Sequence, residues 1–110
     1  MKELIERVMQ INLEKGWKAP SRKDFHNTTD QESVGLMSSV LVNIHDEVSE
    51  AFGEYKKQNL VKFLEECADI VIRVFHVMCS LVGSEEAERI IKDKIEYNST
   101  RPYRHGNKIL

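Results

Sequence analysis

Apolar positions recur along this chain at spacings of three and four, the period of an amphipathic helix, and no useful length shows strand-like alternation. Leu4, Ile5, Val8, Met9, Ile11 and Leu13 give residues 2–15 one broad apolar face, and Gly16 follows as a C′ stop. Trp17 to Asn27, with Pro20, Ser21 and mixed charges, reads as a loop. Thr29-Asp30-Gln31-Glu32 has the T-x-x-E form of a capping box. It opens a second helix with Val34, Met37, Val40, Leu41, Ile44, Val48, Ala51 and Phe52 along one stripe, running to Lys56 or Lys57. Asn59 is a good N-cap for a third helix, Leu60 to Val82. That helix is apolar nearly all round after Ala68, so its second half is predicted to be central and buried. Gly83 ends it, and Ser84 is predicted to cap a fourth helix that reaches Asn98 with Glu85, Glu86 and Glu88 in its first turn. Pro102 forbids continuation, leaving Tyr103 to Leu110 as an extended tail.

The expectation is an all-α, four-helix bundle-type domain spanning residues 1–110, completed by homo-oligomerisation because the third helix has more apolar surface than so short a chain can cover. Composition adds little: 41% hydrophobic and 31% charged residues are ordinary for a globular helical protein. The formal charge of −2 argues against a nucleic-acid polymer as partner. Its distribution is uneven, since Arg101, Arg104 and Lys108 lie in the last ten residues and leave −5 on residues 1–100. The N-terminus lacks the uninterrupted apolar run of a signal peptide, and Ile70 to Val82 is too short to span a bilayer. Cys67 and Cys79 fall about 18 Å apart along one helix, beyond disulfide reach, which points to reduced thiols and a cytoplasmic protein.

The chemistry gathers between Ile44 and Val74. Glu47 with Glu50, and Glu66 with Asp69, each have i,i+3 spacing, which sets carboxylates side by side on a helix. Glu47 lies in an apolar stripe and Asp69 beside Ile70, Val71 and Ile72. Acids in such a setting need neutralising, and a hard cation, Mg²⁺ or Mn²⁺, suits four carboxylates. Solvated helix faces, or an Asp69–Arg73 ion pair at i,i+4, would account for the same residues. A di-iron site needs Glu-x-x-His pairs, and no histidine has a Glu three residues before it. Lys94, Asn98 and Arg101, spaced i, i+4 and i+7, offer two cations and an amide on one stripe, either to a polyphosphate or to the dipole of their own helix end. Trp17 either plugs the end of the bundle or presents a face for a base.

Glu47-Val48-Ser49-Glu50 followed by Glu66-Cys67-Ala68-Asp69 resembles the E-x-x-E … E-x-x-D signature of the MazG-like, all-α nucleoside triphosphate pyrophosphohydrolases. Lys94-x-x-x-Asn98-x-x-Arg101 is similar to that family's second signature. The family motif usually opens with a doubled glutamate, and here Asp46 stands in the first place as an accessory acid. Glu65 precedes Glu66 in the same way. The resemblance implies Mg²⁺-dependent hydrolysis of (d)NTP to (d)NMP and pyrophosphate in a homodimer or homotetramer. It implies Glu47, Glu50, Glu66 and Asp69 as metal ligands, Glu47 or Glu50 also handling the attacking water, and Lys94, Asn98 and Arg101 holding phosphates or sugar. A helical nucleotide-binding or adaptor module without catalysis is the alternative role. The tail residues Arg104, His105 and Lys108 could equally close over phosphates or serve as a solubilising end.

Overall fold

Backbone hydrogen bonds and capping side chains divide the chain into five helices among the residues that the computed structural model describes, 1–102. They are α1 (Lys2–Glu14), α2 (Arg22–Phe25), α3 (Gln31–Lys56), α4 (Leu60–Val82) and α5 (Ser84–Ser99), and the fold is all-α. The expected tail, with Arg104, His105 and Lys108, lies outside the described residues.

The helix beyond the expected four is α2, in the segment read as a loop. One local device builds it. Ser21 caps it by accepting from the Asp24 amide, and the Asp24 carboxylate accepts from the Ser21 amide at 2.8 Å. This is a reciprocal capping box, and the mixed charges around it hid the signal. The other oxygen of Asp24 accepts from the Ser33 hydroxyl at 2.8 Å, tying α2 to the start of α3. The Ser21 amide and then the Ser33 hydroxyl hold the Asp24 carboxyl below its ordinary value. Arg22 donates to the Leu81 carbonyl at 3.0 Å, near the end of α4 where the dipole favours a cation.

Two expected caps shift by one residue. Asp30, not Thr29, caps α3, its carboxylate accepting from the Ser33 amide at 3.0 Å. Gly83, not Ser84, stands at the start of α5, with φ of 84°, a left-handed conformation natural only to glycine. Helix α5 leaves α4 at 116° immediately after it, and Ser84 instead donates its hydroxyl to Glu6 at 2.9 Å. Gly16 and Asn59 serve as expected, the first with φ of 86° after α1, the second accepting from the Lys62 amide at 3.1 Å.

Helix α4 is the hub against which each of the other helices packs. It pairs most extensively with α3, joined through a short turn, while α1 lies against its second half and α5 folds against α1. The expectation that this half is buried does not hold in the single chain. Within α4 only His76 is buried, and Val71 and Ile72 are 48% and 37% exposed. The α3 stripe divides likewise: Val40 and Ala51 are buried, while Val34, Leu41, Val48 and Phe52 face outward. Four further helices, one of them a single turn, do not supply enough surface to wrap α4. The largest fully buried side chains are Ile5 and Pro20, whereas Trp17, expected either as a plug or as a base-binding face, is 40% exposed. Among the described residues no single helix is long and apolar enough to cross a membrane.

Candidate metal centre and adjoining cavity

The α3–α4 pairing turns the two acidic spacings toward each other. Ligand oxygens of Glu47, Glu66 and Asp69 lie within 4.8 Å of one another. Glu47 is only 12% exposed at its side chain. The Oε2 atoms of Glu47 and Glu66 are buried without any hydrogen-bond donor, a costly state for a carboxylate unless a cation completes it. Three hard oxygen donors fit Mg²⁺ or Mn²⁺ better than a soft metal. Burial, with Glu47 and then Glu50 close by, pushes Glu66 up to about 7, because neighbouring like charges and low polarity both disfavour the ionised form.

Glu50 is exposed and meets Glu66, but it stands outside the trio of converging ligands. Asp69 belongs to that trio yet is exposed, so the apolar residues beside it in sequence do not enclose it. Asp46 and Glu65, the accessory candidates, are exposed and make no hydrogen bond or ion pair among the described residues. Arg73 does not pair with Asp69 one turn before it. Its Nη2 instead donates across the helix pair to Glu47 Oε1 at 3.4 Å, and its guanidinium lies over the Trp17 ring, 3.9 Å from the centroid.

Behind Arg73 opens a cavity of about 300 Å³ lined by Trp17, Lys15, Lys18, Ser39, Asn43, Arg73 and His76. His76 fixes one wall. Its Nε2 donates to the Lys18 carbonyl at 2.7 Å, so Nδ1 accepts from the Asn12 amide at 3.1 Å. Trp17 therefore lines the cavity and is linked to Glu47 through Arg73.

Lys94, Asn98 and Arg101 are not brought there. They sit at the far end of α5 and just beyond it, and among the described residues α5 makes no packing contact with α3. Lys94 and Arg101 both lie over the Tyr97 ring, at 4.8 and 5.5 Å. Sequence reasoning passed over Asn12, Asn43 and Glu54, and saw Arg73 only as a partner for Asp69. The signal for two of these was the same stripe extended: Glu54 follows Glu47 by seven residues, as Arg73 follows Glu66. Glu54 is also largely buried, with an unpartnered Oε2 and an ion pair to Lys57 at 3.5 Å.

Comparison with known proteins gives no matching family model, no matching curated protein and no matching solved structure.

Proposed function

We propose that this chain is a divalent-metal-dependent nucleoside triphosphate pyrophosphohydrolase of the MazG-like, all-α kind, converting (d)NTP and water to (d)NMP and pyrophosphate. The observation that carries this reading is the convergence of Glu47, Glu66 and Asp69 with two buried, undonated carboxylate oxygens. Mg²⁺ or Mn²⁺ held there would activate water and offset phosphate charge. Glu50, exposed beside Glu66, would take the proton of the attacking water. The water oxygen bonds to the α-phosphorus, the bond from that phosphorus to the bridging oxygen breaks, and pyrophosphate departs with the electron pair. Trp17 offers the base an aromatic wall at the adjoining cavity.

Lys94, Asn98 and Arg101 join this chemistry only if a second copy supplies them, so the proposed enzyme is a homo-oligomer. The exposed stripe of Leu41, Val48 and Phe52 supports that assembly. The free thiols of Cys67 and Cys79 suit a reducing, cytoplasmic setting.

The test is pyrophosphate release with Mg²⁺ across common and damaged (d)NTPs, with the nucleotide product identified. Monophosphate plus pyrophosphate is the expected outcome. Glu50→Gln and Asp69→Asn should each lower turnover by orders of magnitude with the helical circular-dichroism signal retained, and undiminished turnover in both variants overturns the assignment. The distance of the α5 cations from the carboxylates favours a second reading, a nucleotide-binding module without catalysis. It predicts no product, yet a metal-dependent stabilisation of about 2.7 kcal/mol at 100 times the Kd.

A further inference from the structure

Among the described residues Arg73 is the one cavity-lining side chain with a hydrogen bond to the carboxylate trio. It is 23% exposed, and its only hydrogen bond among the described residues uses a single N–H on Glu47. Its other anchor is the face of Trp17, which does not depend on any acid. The ring therefore keeps Arg73 at the cavity if Glu47 is withdrawn, while its guanidinium is free to tilt against the ring, and four of its five donors are uncommitted.

A guanidinium on Oε1 and a divalent cation on Oε2 of Glu47 repel each other at short range, and the doubly charged ion is the stronger claimant for the carboxylate. Glu47 Oε1 faces Arg73, and Oε2 is the oxygen left without a donor. We propose that Arg73 is a resident counter-cation of the carboxylate trio that gives up Glu47 when a divalent cation occupies the trio, and then offers its guanidinium to a phosphoryl group in the Trp17 cavity. This rests on the metal reading above. It gives phosphate recognition a group within the same chain, Arg73, helped by Lys15 and Lys18 on the same cavity wall. A planar fork of N–H donors matches phosphoryl oxygens, so the exchange replaces one oxyanion partner with another. Metal and phosphate then favour each other's binding through a single side chain.

Trp17 is the only tryptophan, so its emission reports Arg73 directly. In the full chain, Mn²⁺ alone should bind Arg73→Gln about tenfold more tightly than wild type, an effect within the range of ordinary site coupling. Arg73→Lys, which keeps the charge, should remain near wild type. Mn²⁺ should change Trp17 emission in wild type and leave it unchanged in Arg73→Gln. With EDTA present, inorganic pyrophosphate should bind Glu47→Gln about tenfold more tightly than Glu50→Gln, since both variants lose one charge and only the first frees Arg73. Equal or weaker Mn²⁺ affinity in Arg73→Gln, with helicity and thermal midpoint retained, overturns the exchange while leaving the metal site standing. Equal pyrophosphate affinity in the two glutamine variants also overturns it. Absence of Mn²⁺ binding in every variant overturns the metal reading and the exchange together. Pyrophosphate release from (d)NTPs is measured separately, so loss of the enzymatic assignment is visible apart from both.

Discussion

Glu66 is crowded by two other carboxylates, and its proton uptake should be visible in stability. Its carboxyl is raised from 4.5 to about 7 in the folded metal-free protein. Between those values the folded state keeps a proton that the unfolded state has released, so stability falls as pH rises from 4.5 to 7 and then levels off. Glu66→Gln should remove that part of the pH dependence and make the metal-free protein more stable at neutral pH. Denaturant titrations of both forms from pH 5 to 8, with EDTA, check this; parallel profiles would contradict it. Saturating Mg²⁺ should flatten the wild-type profile as well, because a cation favours the ionised carboxylate. Individual acids were legible in the sequence because i,i+3 spacing is a helix property that survives in any packing. Partners across helices were not. Arg73 lies four residues from Asp69 and pairs with Glu47 on another helix, because only the α3–α4 register decides which carboxylate it meets.

Helix boundaries were largely open to reading, since caps and glycines act locally. Asn59 starts α4 and Gly16 ends α1 where their capping chemistry and backbone freedom say they should. The misses are of two kinds. Helix α2 depends on a four-residue device too short to show periodicity, and Asp30 takes the cap from Thr29, its carboxylate accepting from the Ser33 amide, one residue beyond the Glu32 amide that a Thr29 cap would serve. Gly83 carries the most geometric demand of any residue between elements. A methyl added there would meet nothing within 4 Å, so only the backbone resists substitution at its φ of 84°. Gly83→Ala should therefore destabilise the fold by about 1–2 kcal/mol, read as a lower denaturant midpoint. A neutral result would mean that α5 does not need its 116° departure from α4.

The accessible surface is 8287 Å², against about 6,300 Å² expected of a folded monomer of this mass. The Cα radius of gyration is 16.0 Å, where about 13 Å is usual for this length. Both excesses have the sign of a chain that covers itself incompletely. Light scattering should thus give a multiple of 12.8 kDa, and Phe52→Glu, a charge placed on an exposed ring of α3, should reduce it toward one chain without loss of helix. A wild-type mass of one chain at all concentrations would remove the proposed assembly. This incompleteness explains why the periodicity of α4 predicted burial that the single chain does not provide: hydrophobic pattern specifies that a face must be covered, and not by which molecule.

His76 bonds Asn12 on one side of the Gly16 turn and the Lys18 carbonyl on the other, closing sequence separations of 64 and 58 residues. Helices α3 and α4 meet through a turn of three residues and close a far shorter loop. Loop-closure entropy therefore favours forming the helical hairpin before α1 is seated, an expectation that folding kinetics of an Asn12→Ala variant would check. The cavity wall arrives with that last step. Release of the same imidazole would loosen the cavity wall without melting the α3–α4 pair that holds the acids.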